Sequence, residues 1–305
     1  MNVQINTEAW LEERRHFVGG SEVAALFDVS PYMTHYELWQ QKAGNYPSAE
    51  LDGERIEAGQ FMETAIAQWA THRFDMKMRK VHRYMPHTTV AGMGASLDYE
   101  AYGDGAYVPV ELKNVDGQIF REKWATEGRT ITYVPDHILL QCQQQMACAN
   151  AQQCWLIVCV GGNSLYRLLM AREEAVIAQI KKRIERFWRS IAQNIPPDPD
   201  FSRDGSVISH VIGPVRGKVL DLKDSNRLPE LLRQHRDASA QEKKGAAAKK
   251  AAAAEIEHML DGAPGAIATN GKITQYEVKA QAVQYERAAY KALRIKVFEE
   301  KEEAA

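Results

Sequence analysis

Apolar residues recur at helical spacing in some stretches of the chain and alternate in others. ERIEAGQFMETAIAQWATHRF places Met62, Ile66, Trp69 and Phe74 on one helical face. VPDHILLQCQQQMACAN does the same with Ile138, Cys142 and Met146. REEAVIAQIKKRIERFWRSIAQN is amphipathic until Ile195-Pro196-Pro197 stops it. Two shorter helices precede these. GGSEVAALFDVSPY opens at Ser21, a residue type suited to an N-cap, and closes before Ser30-Pro31. THYELWQQKAG has Thr34 and Glu37 at capping-box spacing and Gly44 as its stop.

KMRKVHRYM, GASLDYEAY and AYVPVELKN read as strands, the last two joined by a turn at Gly103-Asp104-Gly105. QCWLIVCVGG is almost wholly apolar, as a central strand covered on both faces must be, and SLYRLLM is its expected partner. After Pro199 the pattern changes. FSRDGSVISHVIGPVRG reads as a loop-rich linker, residues 227–260 as a long Ala/Lys/Glu helix, and Asn270-Gly271 as a hairpin turn. The tail to Ala305 is charged and expected to fray. The expected architecture is α/β over residues 1–200, a mixed central sheet flanked by helices, with a helical extension and short hairpin over 201–305.

Composition changes this picture little. With 45% hydrophobic and 26% charged residues, the chain is ordinary for a globular protein. No apolar run approaches the roughly 20 residues that span a bilayer. MNVQINTEAW lacks a basic-then-apolar leader pattern, so a cytoplasmic location is expected. Cys142, Cys148, Cys154 and Cys159 show no CxxC pair and read as reduced core thiols rather than zinc or iron–sulfur ligands. The net charge of −2 leaves a nucleic-acid partner open, because local distribution matters more than the sum.

The chemistry sits in the hairpin. Its first strand carries Asp98; its second carries Glu111 and Lys113, which share a face because positions i and i+2 of a strand do. Two carboxylates can share a Mg²⁺ ion, which prefers oxygen ligands and retains waters. A lysine about 7 Å along the same face can steer a water or neutralise a phosphate oxygen. Such a set activates water and stabilises the charge of a phosphodiester transition state. Alone, Glu111 and Lys113 better describe a surface ion pair. Glu63 lies four residues after Gly59, with no side chain beneath it on its helical face. His137, Gln141 and Gln145 form a polar stripe opposite Ile138, Cys142 and Met146: either a wet face or a hydrogen-bonding one.

The joint order is more specific than any part: Gly-x-x-x-Glu, then Ser-Leu-Asp, then Glu-Leu-Lys, then a Gln-rich helix. It resembles the lambda-exonuclease branch of the PD-(D/E)xK nucleases, the YqaJ-type phage recombination nucleases, over residues from about 10 to 200. The stations are ERRHFVGGSEVAALFDVSPY, GQFMETA, GASLDYE, VELKN, QCQQQMA and the terminal FW…PP. Leu97 stands where the eponymous proline would be.

The resemblance implies a restriction-endonuclease-like core. In it, Asp98, Glu111 and the Leu112 carbonyl hold Mg²⁺ (or Mn²⁺), and Glu63 assists a second metal or its waters. It makes Lys113 the residue that orients the attacking water and Gln141 the helix glutamine, with Gln143 and Gln145 as further candidates. It also implies that Arg14 and Ser21 bind a DNA 5′ phosphate, next to the amides of Gly19-Gly20. The implied activity is 5′-to-3′ exonucleolysis of double-stranded DNA, leaving 3′ single-stranded tails. Ring-shaped homotrimers and a single-strand annealing partner belong to the same family expectation, as does a bacterial host cell for a phage-encoded chain. An endonuclease of the superfamily and a non-catalytic DNA-binding relative are the alternatives. The basic stretch Lys181, Lys182, Arg183, Arg186 and Arg189 reads as a backbone contact or a solvated face; Lys243, Lys244, Lys249 and Lys250 read as solvated.

Overall fold

The computed structural model describes residues 14–47, 54–103 and 105–278. The N-terminal decapeptide, Asp104 of the expected turn and the charged tail lie outside them. The chain forms two compact units divided between Gly213 and Pro214.

The first unit is built on a seven-stranded mixed sheet in the order β1-β2-β3-β6-β7-β5-β4. β1 (Lys77–Pro86), β2 (Gly94–Gly103) and β3 (Ala106–Val115) form an antiparallel meander at one edge. β3 pairs in parallel with β6 (Gln153–Val160), which pairs antiparallel with β7 (Ser164–Ala171). The connection from β3 to β6 contains α3 (Gly117–Lys123), the short strands β4 (Ala125–Glu127) and β5 (Thr130–Tyr133), and α4 (Asp136–Ala149). α3, β4 and β5 have no counterpart in the sequence expectation.

The apolar run of β6 is covered on both faces, as its composition requires. Cys154, Leu156 and Val158 join the core beneath α4 with Ile138, Cys142 and Met146. Ile157 and Cys159 join the opposite core with Ile66 and Ala70 of α2 (Glu54–Phe74). A third core packs α5 (Glu174–Ala192) against the N-terminal segments. Ile177, Ile180, Ile184 and Phe187 form its buried stripe at helical spacing. All four cysteines are buried free thiols.

α1 (His35–Lys42) begins where expected, with the Thr34 hydroxyl accepting from the Glu37 amide at 2.9 Å. Gly44 follows its end at φ +80°, the left-handed region that favours glycine. The short helix before it is a 3₁₀ turn, Val23–Phe27, with Glu22 at its N-cap; Ser21 is not the cap. The segment expected as a linker contains α6 (Gly205–Ile212). Thr34 donates to Asp204 at 2.6 Å in a buried hydrogen bond, which ties residues beyond 200 to the first unit.

The second unit holds α7 (Arg227–Leu260) and the hairpin of β8 (Gly265–Ala268) and β9 (Gly271–Thr274). Both match the sequence pattern. Lys243, Lys244, Lys249 and Lys250 are exposed. No helix among the described residues is long and apolar enough to cross a membrane.

Candidate active site

Asp98 and Glu111 sit where the β2–β3 ladder ends. The last pair is Tyr99–Val110, and the strands then part: β2 continues beside β1, and β3 beside β6. Two residues of β1, Val81 and His82, stand against the single Asp98, because the β1–β2 register shifts between Lys80 and Arg83. Such an irregularity re-aims the side chain opposite it. Leu97, in the place of the family proline, is 1% exposed and serves as core.

Glu111 is the hub. Its Oε1 lies 2.6 Å from the Lys113 ammonium and accepts from Gln141 Nε2 at 2.8 Å. Its Oε2 accepts from Gln145 Nε2 at 2.5 Å. Lys113 also donates to Gln141 Oε1 at 3.0 Å, closing a three-membered ring of contacts. Burial alone would lower the Lys113 ammonium, but attraction and hydrogen bonding to Glu111 outweigh it and hold it above the usual lysine value. Lys113 is therefore a cation at neutral pH.

The other carboxyls feel this crowding. Burial first, then the negative charge of Glu111, pushes Asp98 up to about 6. Burial, then Asp98 and Glu111, pushes Glu63 of α2 up to about 7. Glu63 of α2, Asp98 of β2 and Glu111 of β3 are thus near enough to feel one another's charge. A Cβ built on Gly59 would meet nothing within 4 Å, so packing does not demand that glycine.

The glutamine run of α4 is not a wet face. Gln143, Gln144 and Gln145 are 0%, 0% and 3% exposed, and each has a different task. Gln145 joins Gln141 on Glu111. Gln143 bonds the Ala171 carbonyl and the Glu173 amide, so it fixes the β7–α5 junction and stands apart from the carboxylates. Gln144 donates to the carbonyls of Val18 and Gly94. Periodicity cannot tell a buried, hydrogen-bonded polar face from a hydrated one. His137, one turn earlier, packs edge-on against Tyr32 with 6.0 Å between ring centroids.

The Arg14/Ser21 region is arranged around Glu22. Arg14 Nη2 lies 3.2 Å and Lys42 Nζ 2.8 Å from its carboxylate. The Gly19 amide donates to it at 2.8 Å, so Glu22 already takes the amide expected to face an anion. Burial alone would raise the Glu22 carboxyl; Lys42, Arg14 and the Gly19 bond overcome this and hold it low. Ser21 is exposed. A Cβ on Gly20 would lie 3.4 Å from Gln141 Cγ and 3.9 Å from Gln145 Cγ, so this loop abuts the glutamines of the carboxylate centre. Lys42 and Gln144 gave no sequence signal, because their contacts span 20 or more residues.

The carboxylates fit a hard divalent cation in donor chemistry. Among the described residues no group of three or more His, Cys, Asp or Glu forms a ready-made cage. Mg²⁺ needs none, since one or two carboxylates and retained waters suffice. Of roughly four acceptor positions on a carboxylate, Glu111 has three engaged, leaving one on Oε2. Asp98 and Glu63 are raised by burial first and by neighbouring carboxylates second, and a cation would relieve the second cause.

Residues 9–152 match the profile of the YqaJ-like viral recombinase domain. The chain is 25% identical over 189 residues to the uncharacterized protein YqaJ of Bacillus subtilis (strain 168), an alignment covering 61% of this chain and 57% of that one. An alkaline exonuclease from Laribacter hongkongensis (LHK-Exo) is 19% identical at a TM-score of 0.47, over 67% of this chain and 100% of its own. A phage-related exonuclease from Haemophilus somnus 129PT is 11% identical at 0.38, over 63% and 90%. The matched residues contain Arg14, Glu63, Asp98, Glu111, Lys113 and the α4 glutamines.

Proposed function

We propose that this protein is a metal-dependent exonuclease that degrades double-stranded DNA from the 5′ end and leaves 3′ single-stranded tails. The observation that carries this reading is the meeting of Asp98, Glu111, Lys113 and Gln141 at one parting of the sheet.

Asp98 and Glu111, with the Leu112 carbonyl, would hold Mg²⁺ or Mn²⁺, and Glu63 a second ion or its waters. The bound metal would supply Lewis acidity and a water of lowered pKa. Lys113, kept charged by Glu111, stabilises negative charge growing on the phosphate oxygens and orients the attacking water. Gln141 holds Lys113 and Glu111 at fixed separation through both ends of its carboxamide. Arg14, aimed by Glu22, and Ser21 bind the 5′ phosphate. Their loop abuts Gln141 and Gln145, which supports an end anchor beside the carboxylate centre.

The test is digestion of a linear duplex labelled at one 5′ end, with Mg²⁺ or with EDTA. Linear DNA carrying a 5′ hydroxyl and closed circular DNA serve as comparisons. Release of labelled mononucleotide only with metal, faster from 5′-phosphorylated ends and absent from circles, is expected. Cleavage of circles would instead make the protein an endonuclease of the same superfamily. No metal-dependent hydrolysis of any duplex would overturn the reading.

A further inference from the structure

The edge strand β1 combines high positive charge with an ordered arrangement of that charge. Lys77, Arg79, Lys80 and Arg83 fall within seven positions. Beside them, Glu100 of β2 is buried, with its side chain 7% exposed, while Arg79 and Arg83 are 52% and 47% exposed. Arg79 donates to Glu100 Oε2 through Nε at 3.2 Å and Nη2 at 2.8 Å. Arg83 Nη2 donates to Oε1 at 3.1 Å. The Arg79 guanidinium also lies 3.6 Å over the Tyr107 ring. One buried carboxylate thus fixes two guanidiniums and cancels only one of their charges. Of five N–H donors each, Arg79 uses two on Glu100 and Arg83 one.

Resting on the exonuclease reading, we propose that Arg79 and Arg83 form a track on β1 that holds the phosphate backbone of the DNA beside the carboxylate centre. Cations on an edge strand commonly serve only to block pairing with another chain. That explains Lys77. It does not explain two arginines held by a buried carboxylate and a ring face, a geometry that pre-sets the guanidinium fork for phosphate. The track also reaches the centre. Glu100 follows Asp98 by two residues, about 7 Å along the same face of β2. The competing basic helix is less suited: Arg183 of α5 is committed to the Leu26 carbonyl and the Phe27 ring.

The test pairs binding with turnover. A fluorescent duplex is titrated by anisotropy across a KCl series in metal-free buffer, and initial rates are measured with Mg²⁺. The variants are Arg79→Gln/Arg83→Gln, Glu100→Gln, and Lys182→Gln/Arg186→Gln as the α5 comparison. Each lost phosphate contact lowers the slope of log K against log salt by about 0.9. The β1 double variant is expected to lose about 2 from that slope and about tenfold in affinity, with KM rising and kcat within about twofold. Glu100→Gln keeps both arginines and removes a negative charge, so binding holds or tightens. A merely structural clamp would instead lower thermal stability in both β1-side variants and leave the slope unchanged. Wild-type slope and affinity in the β1 double variant, or an equal loss in the α5 variant, overturns the proposal. If the double variant does not fold, Arg83→Gln, which leaves both Arg79 bonds on Glu100, decides by the same slope. Failure of wild type to hydrolyse any duplex would sink the exonuclease reading itself and is a separate outcome.

Discussion

Asp98→Asn is expected to stabilise the metal-free protein while abolishing hydrolysis. The ordinary aspartate value is 3.8, and burial with the charge of Glu111 raises Asp98 to about 6. Raising a carboxyl in the folded state gives a stability contribution that is complete below the unfolded value and lost as pH climbs through the folded one. The penalty is therefore absent below about pH 4, grows between about 4 and 6, and is complete above that. About two pKa units correspond to about 3 kcal/mol at 1.36 kcal/mol each, and partial solvent access reduces this to about 1–3 kcal/mol. For a unit of about 200 residues, each kcal/mol moves Tm by about 2–4 °C. In EDTA at pH 8, Asp98→Asn should melt on the order of 2–10 °C above wild type by circular dichroism. At pH 4 the difference should vanish. Mg²⁺ should raise the wild-type Tm and leave the variant nearly unmoved. A variant no more stable than wild type at pH 8 would mean that the three carboxylates are not crowded together, and the proposed centre would lose its basis.

Lys113→Ala should lower kcat by at least about 100-fold with duplex affinity changed only a few-fold, measured by single-turnover digestion and anisotropy. Gln145→Leu removes the amide on Glu111 Oε2; the Mg²⁺ concentration for half-maximal rate should rise about tenfold, as losses behind metal ligands do, with most of the rate restored at saturating metal. Arg14→Gln should shrink the rate advantage of 5′-phosphorylated over 5′-hydroxyl ends, read from paired digestions, while internal steps continue at wild-type speed.

The periodic elements were legible because each buries a face: the alternation of β2, the unbroken apolar run of β6 and the stripe of α5 each admit one placement. The hairpin carboxylates and Lys113 were legible because strand parity fixes which residues share a face. What escaped lacked local pattern. α3, β4 and β5 are short, and two of them are strands of three and four residues. α6 follows a turn-rich stretch and is anchored by Thr34–Asp204, a contact across 170 positions. Ser21 has the chemistry of a cap, yet Glu22 takes that position because its carboxylate is captured by Lys42 and Arg14. The glutamine stripe stayed open between a wet and a hydrogen-bonding face because polarity alone does not reveal whether partners are water or protein.

Consecutive glutamines of α4 point to different parts of the molecule: Gln144 grips the carbonyl of Val18, just before the Gly19-Gly20 loop, while Gln141 and Gln145 grip Glu111. In the proposed reaction one rigid helix therefore sets both the seat of a strand end and the point of hydrolysis. Neither can drift without the other, so α4 acts as a gauge block between them.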